Sequence, residues 1–320
     1  MRSIARMAGV IAAGVLFVLF VLLVPLPFAG RAWAAAGDLV HAPLFGCLSF
    51  AAMRGLERLL PAGDNFARLT IRSIVVMMMI SLLGAMIEIL QQYIGRSSSL
   101  HDAVSNALGS AAAILVYIGW RWQRTRPDKK LRSQLIFLAS GCLLALSWYA
   151  PVMVLRDVMN VEREFPLLAS FETDAEMGRF WFDDSQGIRR PSDATEGMYS
   201  LELICEPTSF PRISLFELHS DWSQAEALEI DVRLDSPNRS RVTLVIKVVD
   251  QADRDAVNAY RATWMLETGP YKRIRITRDA LLAGSKDQSL DLSRIDYIGI
   301  GLVEPETTTR LRIDRLRIVR

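Results

Sequence analysis

Long apolar runs dominate the first half of the chain and limit what it can fold into. Five stretches are apolar over the length of about 20 residues that a transmembrane helix needs, or nearly so. They cover residues 8–28, 39–56, 73–94, 102–120 and 135–155. Hydrophobic residues make up 51% of the chain, yet residues 160–320 have the composition of a water-soluble domain. The sequence therefore predicts an α-helical transmembrane bundle of five spans, followed by a soluble domain.

The first apolar stretch has two interpretations. Arg2 and Arg6 precede it and the small residues of "AWAAAG" follow it, as they would in a cleaved signal peptide. Its apolar run exceeds the core of about 7–15 residues that signal peptides have, which favours a retained helix. Whether this span is cleaved stays open at the level of sequence.

Arginine and lysine residues predict the orientation of the helices, because cytoplasmic loops carry an excess of them. The N-terminus and the connection between the second and third spans are basic, and "RWQRTRPDKKLR" joins the fourth to the fifth. The other two connections hold only Arg31 and Arg96. We therefore expect a multi-pass protein of the cytoplasmic (inner) membrane. Its N-terminus would be inside and its C-terminal domain extracytoplasmic, in the periplasm.

Polar and ionisable side chains interrupt three spans near the predicted outer surface, within about 10 Å of it at 1.5 Å per residue. Such residues are costly in lipid, so an intramembrane cluster of them is a candidate functional site. Residues three or four apart share a helix face, which lets three helices direct polar faces to one point. The candidate ligand-binding residues of this outer-leaflet polar cluster are Asp38, His41, Glu88, Gln91, Gln92, Arg96, Asp102 and Asn106.

The polar cluster also has a purely structural interpretation, since hydrogen bonds between such side chains hold helices together in membranes. As a ligand site, it would let Arg96 bind a phosphate head group bidentately while His41 or Glu88 moved a proton. The sequence contains no nucleophile elbow, no HExxH motif and no phosphate loop. Whether the protein is an enzyme is therefore left open.

The order of these residues resembles the VanZ-like family of membrane proteins over residues 1–125. The motifs are D-x-x-H at Asp38 and His41, E-x-x-Q-x-x-x-x-R ending at Arg96, and D-x-x-x-N-x-x-G at Asp102, Asn106 and Gly109. The resemblance implies an integral membrane protein of the bacterial cell envelope, in a family named for a glycopeptide-resistance accessory protein. The chain departs from the family pattern at Leu39, where a lysine often follows the first aspartate.

The second half of the chain changes to short alternating segments that predict β-strands. "EALEIDVRL", "RVTLVIKVVD" and "IDYIGIGLV" alternate or are rich in β-branched residues, and turn signals such as "DSPNRS" separate such segments. Seven or more strands without a long helix predict an all-β antiparallel jelly-roll sandwich. We expect a transmembrane domain at 1–157, a linker at 158–167 and the sandwich at 168–320.

Segments such as "SFETD", "EGMYSLELI" and "LRIDRLRIV" resemble those of galactose-binding, carbohydrate-binding-module-like jelly rolls over residues 168–320. The resemblance implies glycan binding and a structural calcium ion. Candidate sugar-stacking rings are Trp264, Tyr260 and Trp181, because a ring presents a flat apolar face. Glu172 in the first strand and Asp314 in the last are the calcium candidates. Core or rim packing is the alternative for each ring, and a solvated side chain is the alternative for each acid.

These observations predict a VanZ-like envelope protein that binds a glycan or glycolipid, with membrane lipid and envelope polysaccharide as partners. A net charge of +2 gives no sign of nucleic-acid binding, and three cysteines give no disulfide framework. One alternative is a membrane enzyme acting on a lipid-linked phosphate or sugar. The other is a scaffold whose sandwich recruits a partner protein. The oligomeric state stays open.

Overall fold

The computed structural model describes two compact units, one within residues 1–155 and one within residues 156–320. The described residues are 9, 13, 14, 16, 30–60, 65–93, 100–126, 128, 130–236, 240–252, 259–284 and 290–320.

Four helices of the described part are long and apolar enough to cross a membrane. They are α1 (Arg31–Leu59), α2 (Phe66–Tyr93), α3 (Leu100–Thr125) and α4 (Lys130–Glu164). They coincide with the last four of the five predicted spans, which confirms the prediction of long apolar helices in this part of the chain. The first predicted span, 8–28, lies outside the described residues except for four positions, which are helical. The described part therefore has four candidate spans rather than five.

Helices α1 and α3 approach each other very closely at Gly109. A Cβ atom added to Gly109 would lie 2.1 Å from the carbonyl oxygen of Ala42, and one added to Gly46 would lie 3.1 Å from the oxygen of Gly109. Small residues permit such close approach of helix backbones, and the approach in turn brings their neighbours into contact. His41 precedes Ala42 and Asn106 lies one turn before Gly109, so the crossing aligns these two side chains.

Serine side chains link α4 to α3. The hydroxyl of Ser133 donates a hydrogen bond of 2.5 Å to the carbonyl oxygen of Gly119, and that of Ser140 donates one of 2.9 Å to Ala112. Both hydroxyls are buried. Interhelical bonds of this kind contribute on average about 0.6 kcal/mol each in membrane proteins.

Helix α4 continues through most of the segment that the sequence analysis assigned to a linker. It ends at Glu164, and the boundary between the two compact units falls between residues 155 and 156. The reason is a buried ion pair: the Nε and Nη2 atoms of Arg179 lie 3.0 and 2.6 Å from the two carboxylate oxygens of Asp157. Separating such a pair would leave a charge buried without compensation. No proline follows Asp157 before Pro166, so nothing ends the helix earlier.

The described strands form two antiparallel sheets, which confirms the predicted antiparallel β-sandwich. The six-stranded sheet has the order β3-β4-β11-β6-β9, with β1 paired to β11, and the five-stranded sheet has the order β2-β5-β10-β7-β8. The strands are β1 (Leu167–Ala169), β2 (Phe180–Asp183), β3 (Ser185–Pro191), β4 (Tyr199–Cys205), β5 (Arg212–Leu215), β6 (Ala227–Leu234), β7 (Arg241–Asp250), β8 (Tyr260–Glu267), β9 (Lys272–Thr277), β10 (Ile295–Leu302) and β11 (Thr309–Val319). A short helix, α5 (Arg278–Ala283), follows β9.

A single apolar core fills the space between the two sheets. Leu228, Ile230 and Val232 alternate along β6 and all face this core, as the period of two in a strand requires. Trp222 is fully buried, and its indole Nε1 donates a hydrogen bond of 2.8 Å to the carbonyl oxygen of His219. The polar end of the ring is thus satisfied while its apolar body packs in the core.

The outer face of the six-stranded sheet carries ion pairs between adjacent strands. Asp231 on β6 lies opposite Arg273 on β9, and its two oxygens are 2.8 and 3.0 Å from Nε and Nη2 of that arginine. Glu229 and Arg275, the next pair on this face, are 2.7 Å apart. Opposite charges at facing positions stabilise a sheet, so this surface is electrostatically compensated within itself.

We expect Gly109→Ala to destabilise the helical unit by about 1–3 kcal/mol, because the new methyl group would collide with the backbone of Ala42. Thermal unfolding of the full-length chain in detergent measures the effect. Gly141→Ala on α4 is the matched control, since a Cβ atom there meets nothing within 4 Å. Equal stability of the two variants would contradict the close helix crossing.

We expect Asp231→Asn to weaken the sandwich by about 1–3 kcal/mol at pH 7, because one oxygen acceptor and the charge facing Arg273 are lost. Burial acts to raise the pKa of Asp231, but hydrogen bonds from Arg273 and Thr195 hold it below its usual value. The stabilisation is therefore present above the unfolded pKa, near about 3.9, and is lost as the pH falls towards the folded pKa.

Hydrogen exchange of β6 in the full-length chain, measured at pH 7 and near pH 3, tests this prediction. The difference between the wild type and Asp231→Asn should shrink at the lower pH. Asp296→Asn is the control, because the Asp296 side chain is exposed. A difference of equal size at both values of pH would refute the assigned role of the carboxylate.

Candidate functional site

A cavity of about 570 Å³ opens on the outer face of the five-stranded sheet. A row of facing residues crosses all five strands at this point: Trp181 lies opposite Ser214, Ser214 opposite Gly299, Gly299 opposite Lys247, and Lys247 opposite Arg261. All five residues line the cavity. Because directly paired residues share a sheet face, the strand register alone gathers these side chains. We call these five residues the cleft row.

Polar side chains of a second row form another part of the cavity wall. Arg212 on β5 and Thr263 on β8 both line it. The Nη2 atom of Arg212 lies 2.6 Å from a carboxylate oxygen of Asp183, and both side chains are about half exposed, at 42% each. The cavity thus presents guanidinium and hydroxyl donors to solvent.

Aromatic rings supply flat apolar surfaces beside these donors. Trp181 is 66% exposed, which is unusual for so large an apolar ring. The rings of Phe216 and Tyr297 contact each other with centroids 5.0 Å apart. The ammonium nitrogen of Lys247 donates a hydrogen bond of 3.3 Å to the hydroxyl of Tyr297. Exposed rings next to a few convergent polar groups are typical of a small-molecule or sugar-binding cavity.

Gly299 leaves the centre of the cleft row open, because glycine has no side chain. A Cβ atom added there would find its nearest neighbour, the Cβ atom of Lys247, at 3.6 Å, which is an ordinary contact. The backbone therefore tolerates a larger residue, and glycine is not needed here for packing. Its effect is to leave room above the middle strand of the sheet.

The structure separates the three candidate stacking residues. Trp181 lies in the cavity, whereas Tyr260 is only 4% exposed and Trp264 packs partly against the core. Burial raises the pKa of Tyr260. This corrects the expectation for Tyr260 and Trp264: alternation along β8 turns them inwards and turns Arg261 and Thr263 towards the cavity.

The two candidate calcium ligands, Glu172 and Asp314, line the same small cavity. Oε1 of Glu172 accepts hydrogen bonds from the backbone N–H groups of Met198 and Tyr199, at 2.8 and 3.0 Å. Oδ2 of Asp314 accepts one of 3.1 Å from the backbone N–H group of Glu196 and two more from Thr195. Both carboxylates therefore hold the loop before β4 in place.

This arrangement does not fit calcium, which takes about six to eight oxygen ligands. The carboxylate oxygens already accept N–H donors, and the described ranges contain no group of three acidic, histidine or cysteine side chains placed to hold a metal ion. Gly197 has a φ of 76°, and a Cβ atom there would lie 2.3 Å from Oε1 of Glu172. At Gly197, the backbone of the loop before β4 therefore packs directly against the carboxylate of Glu172.

In the helical unit, two residues of the predicted polar cluster meet at the crossing of α1 and α3. Nδ1 of His41 and Oδ1 of Asn106 are 3.0 Å apart, and both residues are buried. Helix α2 reaches the same point, because a Cβ atom added to Gly84 would lie 3.3 Å from Nδ2 of Asn106.

Three further cluster residues are buried around this contact. Glu88 and Gln91 lie one and two turns beyond Gly84 on α2, and Asp102 lies one turn before Asn106 on α3. Because α2 and α3 are consecutive and packed together, Glu88 and Asp102 lie at about the same level. Buried acids, amides and an imidazole from three helices thus converge near one end of the helical unit.

The remaining residues of the polar cluster are placed differently. Asp38 is partly buried on α1, one turn before His41. Gln92 is exposed, although its spacing of four residues from Glu88 predicts a shared face; Gln91 is buried instead. Arg96 lies outside the described residues.

Oδ1 of Asp102 and Nδ2 of Asn106 are buried without a hydrogen-bond partner among the described residues, and the two residues are four apart on one face of α3. An unsatisfied buried polar group costs about 1–3 kcal/mol, more when it is charged. A carboxylate acceptor next to an amide donor can bind a hydroxyl group, which donates to one and accepts from the other.

An ionic cluster at the opposite end of the helices was not anticipated from the sequence. Glu57 on α1 accepts from Nη1 of Arg72 on α2 at 2.8 Å and from Nη1 of Arg121 on α3 at 2.5 Å. Arg124 lies over the ring of Trp120, 4.2 Å from its centroid. The sequence signal that could have predicted this link between three helices is Glu57, a glutamate within an arginine-rich segment.

The cleft row was also missed in the sequence, although two signals were present. Lys247 is the only charged residue inside the apolar strand segment "VTLVIKVV", and Gly299 and Gly301 interrupt "IGIGL". A central lysine and alternating glycines are unusual in a strand that faces only a core. Together they indicate an outward face with a function.

Scans against protein-family models and curated proteins find no match to this sequence. The VanZ-like resemblance therefore stays a prediction. Among solved structures, an exo-beta-agarase is similar over 48% of this chain and 24% of its own, with 17% identity and a TM-score of 0.40. A second agarase is also matched over only 24% of its length.

Two carbohydrate-binding modules from Clostridium thermocellum are matched over most of their own length. The family 11 module, in complex with a β-1,3-1,4-mixed-linked tetrasaccharide, has 14% identity, a TM-score of 0.37 and coverage of 48% of this chain and 94% of its own. The family 30 module has 14% identity, a TM-score of 0.35 and coverage of 44% and 91%. Similarities at this level do not transfer a ligand to this chain.

Proposed function

We propose that this chain is a multi-pass membrane protein whose β-sandwich binds a glycan chain in the cleft of the five-stranded sheet. The observation that carries the proposal is the cleft row, in which an exposed tryptophan and polar side chains share one face across five strands. A sugar ring would stack an apolar C–H face on Trp181. Its hydroxyl groups would bond to Ser214, Thr263 and the cationic side chains.

The length of the cleft row favours a polymer over a single sugar. Neighbouring strands lie about 4.8 Å apart, so a row across five strands spans about 19 Å. That length accommodates several consecutive sugar units of an extended chain. The cavity is open rather than enclosed, so a chain could continue beyond both edges of the sheet.

The proposed location is the cell envelope. The four apolar helices would hold the sandwich at the cytoplasmic membrane, and the arginine-rich connections favour an extracytoplasmic sandwich. In that arrangement the accessible polymer would be an envelope polysaccharide. The VanZ-like pattern of the first 125 residues agrees with an envelope role.

We expect Trp181→Ala to weaken glycan binding at least about tenfold, equivalent to about 1.4 kcal/mol, because the stacking surface is lost. Gly299→Leu should abolish binding by filling the centre of the cleft, while its Cβ atom makes only ordinary contacts. Binding of the purified full-length chain to a panel of polysaccharides, by calorimetry or affinity electrophoresis, measures both effects.

Met198→Ala is the control for these variants, because Met198 is 69% exposed and does not line the cavity. It should bind like the wild type. Unchanged binding by both Trp181→Ala and Gly299→Leu, or the absence of binding to every glycan by a folded wild type, would refute the proposal.

A second candidate function concerns the polar cluster of the helices. We propose that it holds the head group of a lipid or glycolipid in the outer leaflet. The supporting observation is the pair of buried atoms, Asp102 Oδ1 and Asn106 Nδ2, that have no hydrogen-bond partner among the described residues. A head-group hydroxyl would satisfy both atoms at once.

We expect Asp102→Leu to remove co-purified lipid from the full-length chain, seen by native mass spectrometry, without lowering its thermal stability. The reason is that a buried acceptor without a partner is replaced by an apolar group that suits its surroundings. Ser140→Ala is the control: it should keep the lipid but lose about 0.6 kcal/mol of stability, because its bond to α3 is lost. Retained lipid with lowered stability in Asp102→Leu would show that the cluster only joins helices.

A further inference from the structure

A second cavity, of about 230 Å³, lies between three helices at the end of the helical unit opposite to the polar cluster. We call it the basic cavity. Its lining includes Asn65 and Phe66 at the start of α2, Trp122 and Arg126 at the end of α3, and Arg132 in the first turn of α4. None of the described residues that line it is aspartate or glutamate. The basic cavity is therefore a candidate site for an anion.

A further arginine of the lining, Arg121, is held in place by the neighbouring helices. Its Nη1 atom donates a hydrogen bond of 2.5 Å to one carboxylate oxygen of Glu57 on α1. The other oxygen of Glu57 accepts a bond of 2.8 Å from Nη1 of Arg72 on α2. One wall of the basic cavity is thus fixed by contacts within the helical unit before any ligand binds.

The other two arginines of the lining, Arg126 and Arg132, are exposed. Neither forms an ion pair with an acidic side chain in the part of the chain that the structure describes. Arg126 directly follows the last residue of α3, where the helix dipole favours a cation. Arg132 lies in the first turn of α4, where the dipole disfavours a cation, and that turn has no acidic residue. Helix electrostatics therefore accounts for Arg126 but not for Arg132.

Aromatic and apolar side chains adjoin these arginines. The rings of Phe66 and Trp122, which both line the basic cavity, have centroids 6.4 Å apart. Phe66 is 63% exposed, and Leu131, the residue before Arg132, is 69% exposed. Tryptophan is enriched at membrane–water interfaces, where its ring lies at the level of the head groups. A cationic surface beside an exposed apolar one suits an amphiphilic ligand.

We infer that the basic cavity binds the phosphate head group of an anionic phospholipid, with the acyl chains on the apolar surface beside it. Guanidinium groups bind phosphate oxygens bidentately. The volume is below the range of about 300–1,000 Å³ for pockets that enclose a whole small molecule, which suits a head group whose chains stay outside. Basic pockets between transmembrane helices on the cytoplasmic side bind such head groups. The inference rests on the membrane insertion in the proposed function, but requires neither the glycan nor the polar cluster.

Membrane orientation is the competing explanation of these arginines, since cytoplasmic connections are basic whether or not they bind lipid. In that case the exposed arginines at this end of the helices would attract anionic lipid equally. The inferred site instead predicts that Arg126 and Arg132 contribute more than Arg58, which is exposed near the end of α1 and does not line the basic cavity.

Two matched lipids test the inference. Phosphatidylglycerol and phosphatidylcholine with identical acyl chains share the phosphate and differ in net charge. Titration of the full-length chain in detergent, followed by native mass spectrometry, should show at least about tenfold tighter binding of phosphatidylglycerol. Arg126→Gln and Arg132→Gln should each weaken that binding about fivefold, the effect of one arginine near an anionic membrane surface. Arg58→Gln makes the same change in net charge and should bind like the wild type.

Inorganic phosphate identifies the source of the anion. In large excess over the lipid it should leave phosphatidylglycerol bound, because it has no acyl chains to contact the apolar surface. Displacement of the lipid by inorganic phosphate would overturn the phospholipid as the ligand. Equal binding of the two lipids, or equal losses in Arg58→Gln and the two cavity variants, would overturn the inference as well.

These outcomes are separate from the proposed function. Lipid held at the polar cluster is common to the wild type and all three arginine variants, so it cancels in the comparison. Loss of the lipid selectivity alone leaves glycan binding by the sandwich intact. A folded chain that stays monodisperse without detergent and binds no lipid would overturn membrane insertion together with this inference.

Discussion

The alternation of side chains across the five-stranded sheet is the constraint on which the proposed site depends. In a pleated strand, neighbouring residues point to opposite faces, so one set packs in the core and the other faces solvent. On β7 and β10 the inward set is apolar, and the outward set includes Lys247, Tyr297 and Gly299. A shift of one residue in the pairing of either strand would bury the charged side chain and expose the core. The core therefore fixes the register, and the register builds the cleft.

The two sheets of the sandwich differ in how charged side chains on their outer faces are paired across adjacent strands. On the six-stranded sheet, opposite charges face each other across strands and compensate locally. On the five-stranded sheet, Lys247 and Arg261 face each other with the same sign. The first arrangement contributes to stability. The cavity and the exposed Trp181 lie on the five-stranded sheet, which is why that face and not the ion-paired face is the candidate binding surface.

The helical unit combines satisfied and unsatisfied polar groups at its two ends. At one end Glu57 accepts from two arginines and links three helices. At the other end the contact between Ala42 and Gly109 aligns His41 with Asn106, but leaves polar atoms of Asp102 and Asn106 buried without partners among the described residues. The first set is complete as a structural device. The second has hydrogen-bonding capacity left for a ligand.

Much of the fold could be predicted from the sequence, and much of the site could not. Apolar length predicts helices α1 to α4, and alternation predicts the strands, because both signals are local. The predicted linker differs from the structure, since the buried pair of Asp157 and Arg179 involves residues 22 positions apart. Tyr260 and Trp264 were expected on the surface, and Gln92 on the same face as Glu88. The face that each residue occupies depends on neighbouring strands or helices, which a single segment does not reveal.

The sequence by itself determined that apolar helices precede a β-sandwich, that polar residues interrupt the helices near one end, and that Trp181 is a candidate stacking ring. Hydrophobic periodicity is sufficient for such conclusions, because each period reports the local geometry of the backbone. Only the tertiary structure decided that Trp181 shares a face with Lys247 and Arg261, and that Glu172 and Asp314 bind backbone amides. Those groups come from strands far apart in the chain, and their proximity is set by sheet order and register.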